Sequence, residues 1–140
     1  MSNHDRRLGA FPAIAGILLV FLLVVSPPPA AGGSGPLDGQ RFAGETGEMG
    51  QEKGDPEEFV FQNGEFDPLA CHQYGFSAAP YEARAAADGV HFTAETVSAK
   101  EGRMKWSGTV LGDRIEGTVV WEKEGQAPIE YWFKGSLAAD

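Results

Sequence analysis

Residues 81–97, YEARAAADGVHFTAETV, carry two alternating runs on either side of Asp88-Gly89. Tyr81, Ala83 and Ala85 alternate with Glu82 and Arg84, and Val90, Phe92, Ala94 and Thr96 alternate with His91, Thr93 and Glu95. A period of two marks half-buried β-strands, whose side chains point to opposite faces in turn. Asp-Gly is a pair favoured by a type I′ turn, in which both central residues take positive φ. A two-residue loop there pairs Ala85 with Phe92 and Ala83 with Ala94, and makes Glu82 face Glu95. Both inward sets then fall on the same face, as a buried register requires.

The same test works further out. At Gly112-Asp113, pairing Leu111 with Arg114 brings Val110 opposite Ile115, Gly108 opposite Gly117 and Met104 opposite Trp121. Asn63-Gly64 pairs Gln62 with Glu65 and sets Phe61 across from Phe66. The last segment runs Ile129, Tyr131, Phe133, Gly135 and Leu137 inward, with Glu130, Trp132, Lys134 and Ser136 outward. Strands are expected over residues 40–45, 58–62, 65–74, 81–87, 90–97, 103–111, 114–122 and 129–137. Pro68 cannot donate to a ladder, so the third is expected to be bulged, interrupted or at an edge. No helix of ordinary length is signalled after residue 31. An antiparallel meander of about eight strands removes its two edges by closing on itself. The expected fold class is therefore all-β, a single up-and-down barrel over residues 37–140.

The N-terminus follows another grammar. Arg6 and Arg7 precede a run from Ala13 to Val25 that is apolar apart from Gly16, and Pro27 to Pro29 then stop any helix. This is the order of a signal peptide, with cleavage expected after Ala31 and a Gly/Ser/Pro linker over 32–36. An uncleaved membrane anchor is the alternative, because the apolar stretch from Leu8 approaches the length of a spanning helix. Arg-Arg-Leu-Gly-Ala matches a twin-arginine signal only loosely, so general secretion to the periplasm or exterior is expected.

Cleavage leaves roughly 109 residues, enough for one domain and too few for a separate cofactor domain. Loss of Arg6, Arg7 and Asp5 moves the formal charge from −9 to −10. Such a domain is a poor partner for nucleic acid or anionic membrane surfaces, and membrane association is expected only if the N-terminal segment stays attached. Cys71 is the only cysteine and cannot form an internal disulfide; burial as a small hydrophobe is the expectation. Thr46 to Glu58 is rich in acidic residues and reads as a solvated loop without the ligand spacing of a calcium loop.

Leu37-Asp38-Gly39-Gln40-Arg41-Phe42 places a Gly three residues before an aromatic at the first strand. This segment resembles the opening of lipocalin-like (calycin) barrels, which usually carry Trp where this chain has Phe42. Residues 59–137, with Cys-His-Gln-Tyr-Gly-Phe at 71–76 and Tyr-Trp-Phe-Lys-Gly at 131–135, also resemble a group of small exported bacterial proteins without an assigned activity. The resemblance implies a compartment and a fold, not a reaction.

The inward set is uneven: Phe92, Met104, Trp106, Trp121, Tyr131 and Phe133 are large, while Ala83, Ala85, Ala94, Gly108, Gly117 and Gly135 are small. Either they interdigitate and fill a narrow barrel, or the small ones leave a cavity for an apolar or amphipathic ligand. The six large residues are the candidate ligand-binding set. Trp132 and Val120 point outward and form a candidate protein-interaction patch, the basis of an alternative inhibitor-type or accessory role; lysine arms or a loop covering the indole would account for it equally. Cys71, His72 and His91 lack the spacing of a structural zinc site. No metal, cofactor or enzymatic activity is expected, since neither a Cys71–His pair nor Glu82 with Glu95 has the third group or oxyanion loop that catalysis needs.

Overall fold

The structure is a computed structural model and describes residues 35–139. The expected signal peptide (1–31) and residues 32–34 of the linker lie outside the described residues. Eight strands follow one another: β1 (Arg41–Glu48), β2 (Asp55–Gln62), β3 (Glu65–Pro68), β4 (Ala79–Ala86), β5 (Gly89–Ser98), β6 (Gly102–Leu111), β7 (Arg114–Glu122) and β8 (Ile129–Leu137). Each pairs antiparallel with the next, and β8 returns to β1 from Phe42↔Leu137 to Glu48↔Tyr131, closing a single barrel. Closure leaves every strand with two neighbours, as the meander argument requires.

Two of the three expected hairpin registers are present residue for residue. Leu111 pairs with Arg114, Gly108 with Gly117 and Met104 with Trp121, and Gln62 pairs with Glu65 and Phe61 with Phe66. At the second of these, Asn63 (φ 55°) and Gly64 (φ 74°) both take the positive φ of a type I′ turn.

The β4–β5 register differs from expectation by two residues. Ala83 pairs with Phe92, Ala85 with Val90 and Ala86 with Gly89, so the loop is Ala87-Asp88. Gly89 is drawn into β5 because only glycine suits that position: its φ is 123°, and a β-carbon there would lie 2.4 Å from the Val110 carbonyl oxygen on β6. A slip of two preserves the faces, so the alternation survives although the pairing changes. Glu82 consequently faces Thr93, not Glu95; Glu95 faces Lys105 and bonds Arg103 at 2.8 Å.

Two further expectations are corrected. Thr46 to Glu58 is not one loop: β1 extends to Glu48 and β2 begins at Asp55, leaving only residues 49–54 between them. The Phe59–Phe61 alternation extends back to Glu57, which is buried. The third strand is interrupted, as Pro68 suggested, and the chain continues as a 3₁₀ turn over Leu69–Tyr74 that ends at Gly75 in the left-handed region. Only Glu65↔Pro80 and Phe66↔Ala79 join β3 to β4, making this the shortest seam of the barrel.

The interior is filled from one end by aromatic rings. Phe42, Phe59, Phe61, Phe66, Phe92, Phe133 and Trp106 are fully buried, with neighbouring centroids 5.0–6.3 Å apart in mostly tilted or edge-to-face pairs. The Gly108–Gly117 pair makes room for them. A β-carbon at Gly108 would lie 2.6 Å from Phe133 Cζ and 2.8 Å from Phe92 Cε1, and one at Gly117 would lie 2.2 Å from the Ser107 carbonyl oxygen. Here the small residues interdigitate with the large ones. Ala85 and Leu137, expected inside, are exposed at the ends of β4 and β8.

Leu37, 1% exposed, covers the floor of this plug. Its backbone N–H donates to the Tyr81 hydroxyl oxygen at 3.0 Å, the hydroxyl donates to Asp38 Oδ1 at 2.7 Å, and Asp38 Oδ2 accepts from Gly64 N–H at 2.9 Å. Burial and the bond to Asp38 push the Tyr81 phenol up to about 12. Burial opposes ionisation of Asp38, but the Tyr81 hydroxyl and the backbone donors outweigh it and hold this carboxyl below its ordinary value. The latch ties the segment before β1 to the β2–β3 turn and to β4.

Tyr81→Phe is expected to cost about 1–2 kcal/mol in urea unfolding, since it leaves the Leu37 N–H unpaired. Gly117→Ala should cost about 1–3 kcal/mol by overpacking. Unchanged midpoints would count against the latch and the glycine gap respectively.

Candidate functional site

The two ends of the barrel differ. At the plugged end the hairpins are joined by the tight turns 63–64, 87–88 and 112–113; at the other end lie the longer connections 49–54, 69–78, 99–101 and 123–128. Loops presented by a rigid scaffold are where binding groups concentrate. Above the aromatic plug, this open end encloses a concavity of about 720 Å³, within the size range of small-molecule sites.

Its wall comes from strand ends that the registers bring together. Met104 and Trp106 at the start of β6 face Trp121 and Val119 at the end of β7, and Tyr131 follows on β8. Thr46 on β1 and Glu57 on β2 continue the circuit, and the segment after β3 adds Cys71, Tyr74 and Phe76. Both indoles are fixed by their N–H groups. Trp106 Nε1 donates to Thr96 Oγ1 at 3.0 Å and Trp121 Nε1 to the Glu101 carbonyl at 2.6 Å. Their polar atoms are satisfied, so each contributes an apolar surface to the cavity.

The polar side of the wall centres on Glu57, only 6% exposed. Its Oε1 accepts from the backbone N–H groups of Ala70 (2.7 Å) and Glu58 (2.8 Å), and Oε2 accepts from the Cys71 thiol at 3.5 Å. These bonds fasten the 3₁₀ turn to β2. Burial pushes the Glu57 carboxyl above its ordinary value; the Ala70 and Glu58 donors, the thiol and the nearby His72 partly offset this. The Cys71 thiol is driven far up by burial and by the adjacent Glu57 charge. Tyr131 is also raised, by burial and then by Glu48 and Tyr74. The Thr46 hydroxyl oxygen is buried without a hydrogen-bond partner among the described residues.

Of the six residues singled out for a ligand, the fold brings Trp106, Trp121, Met104 and Tyr131 together around the cavity. Phe92 and Phe133 lie in the plug, Phe92 in edge-to-face and tilted contact with Phe61 and Phe66, and Phe133 edge-to-face with Trp106. Glu57, Thr46, Val119 and the residues after Pro68 complete the wall without having been singled out. The parity of Phe42 with Thr46, and of Phe59 with Glu57, was the available signal. It was obscured by the acidic residues between them.

Trp132 lies on the outer face, half-buried. Its Nε1 donates to the Gln51 carbonyl at 2.9 Å, its ring lies over Gly47, where a β-carbon would come within 2.4 Å, and Lys134 Nζ stands 5.2 Å from the ring centroid. A loop, a glycine gap and a lysine arm together cover the indole. Val120, also half-buried, pairs with Lys105 and Glu130. A shallower concavity of about 640 Å³ on this face is bordered by Trp132, Lys134, Glu116 and His91.

His72 is turned outward to Asp67, and His91 bonds Asp88 near the opposite end. Among the described residues no three His, Cys, Asp or Glu side chains are grouped as a metal site. Comparison with protein-family profiles, with curated proteins and with solved structures finds no match for this chain.

Glu57 binds its proton more tightly folded than unfolded, so its contribution to stability is full below the ordinary carboxylate range and is lost as pH rises through the raised folded value. The stability of wild type relative to Glu57→Gln, measured by urea unfolding, should therefore fall as pH rises from the ordinary carboxylate range through the raised folded value. A difference that stays constant, or grows in favour of wild type, would contradict the assignment.

Proposed function

We propose that this protein is an exported barrel, periplasmic or secreted, that binds a small apolar or amphipathic ligand in its open end. The observation that carries the proposal is the division of the interior. One end is packed solid by phenylalanine rings, and the other holds a concavity of about 720 Å³ between Trp106, Trp121, Met104 and Tyr131. A stability-driven core would be expected to fill both ends, because packed interiors leave few voids larger than a water molecule. The basic and apolar N-terminal segment supports export. Kinship with lipocalin-like barrels belongs to the same proposal and rests on the Gly39-to-Phe42 segment and the shared barrel architecture.

Binding, not catalysis, is the role proposed. The most reactive side chain in the cavity is the Cys71 thiol, and its surroundings favour the protonated form, opposite to what a nucleophile requires. The alternative role in protein binding through Trp132 has less support, because Gln51 already takes the indole N–H and Gly47 and Lys134 lie against the ring.

Native mass spectrometry of the protein purified from its own compartment should show a small added mass that disappears on denaturation. A bare mass, both as purified and after exposure to an organic extract of the same cells, would overturn the proposal.

A further inference from the structure

The chemistry of the cavity wall narrows the ligand class, and the narrowing rests on the ligand-binding reading above. Aromatic faces dominate one side: Trp106, Trp121 and Tyr131. The charged groups in the wall are Asp55, Glu57 and Glu101, and no Lys or Arg lines it among the described residues. Glu101 already has a partner, Lys123 Nζ at 3.0 Å. Glu57 has no oppositely charged partner among the described residues: its bonds come from two backbone N–H groups and a thiol, and His72, a nearby cationic candidate, is turned outward to Asp67. A carboxylate this deeply buried is ordinarily paired. Thr46 adds an independent sign, since its buried hydroxyl oxygen lines the same cavity without a partner and can accept a hydrogen bond.

Aromatic faces beside a buried, unpaired carboxylate recognise a cation. The ring quadrupole attracts an ammonium group lying over the face, and the attraction grows when the site is desolvated. The acidic net charge of the chain favours the same sign of ligand and disfavours an anionic lipid tail. We propose that the natural ligand is an organic cation, an amine or quaternary ammonium with an apolar body, whose charged end meets Glu57 and whose body lies against Trp106 and Trp121.

Three probes of one chain length separate this inference from the reading beneath it: decyltrimethylammonium, decanol and decanoate. Each is titrated below its micelle concentration against the intact protein at about 0.15 M salt, where exposed charges beyond a Debye length are screened. Isothermal calorimetry and tryptophan fluorescence report binding. The cation should bind at least tenfold more tightly than decanoate and more tightly than decanol, and Glu57→Gln should remove most of its advantage over decanol, read as the ratio of the two affinities within the same variant. Decanol or decanoate binding as tightly as the cation in wild type would overturn the cationic assignment and leave the ligand-binding reading standing. No binding by any of the three would overturn both. The wild-type ranking decides the matter even if Glu57→Gln fails to fold.

Discussion

An eight-stranded barrel has an interior only wide enough for side chains to fill it or for one small ligand to enter it. In this chain that narrow space is divided along the barrel axis. Phe59, Phe61, Phe66, Phe92 and Phe133 converge from four strands at one end, and the Gly108–Gly117 pair admits the ring edges of Phe92 and Phe133. Loss of one such ring costs about 3–5 kcal/mol in typical cores, comparable with the whole stability of a small domain. The plug can therefore supply the stability that frees the other end from being filled. The chain has no disulfide to help, because its one cysteine is unpaired and buried.

The latch of Leu37, Asp38 and Tyr81 seals the plugged end, and the described chain enters the barrel there, at Gly35. The opposite end carries the long connections and the short β3–β4 seam. Pro68 ends the ladder, the chain turns through Leu69–Tyr74, and Glu57 secures that turn through the Ala70 N–H and the Cys71 thiol. One carboxylate thus has two duties. It holds the wall of the cavity together, and it is the buried carboxyl group that lines the cavity.

Much of the architecture was legible in the sequence, for reasons that can be stated residue by residue. Alternation identified the strands from β4 to β8, and Asn63-Gly64 and Gly112-Asp113 set two registers, because a turn that demands positive φ leaves little freedom. Asp88-Gly89 misled because the glycine was needed one step later, against the Val110 carbonyl, a tertiary demand invisible to a local rule. The acidic stretch 46–58 concealed the inward parity of Thr46 and Glu57, since a buried carboxylate is rare and composition there argues for solvent. Four of the six cavity candidates followed from parity alone. Parity gives a face but not a depth, so it could not separate Phe92 and Phe133, deep in the plug, from Trp121 and Tyr131 at the open end.

The central claim is that the barrel is solid at one end and accessible at the other. Methyl-labelled NMR tests it directly, because Met104 lines the cavity and Leu37 closes the floor. On titration with an uncharged apolar probe such as 1-naphthylphenylamine, the Met104 methyl resonance should shift and saturate while the Leu37 methyls stay in place. Equal shifts at both positions, or none at Met104, would contradict the division of the interior.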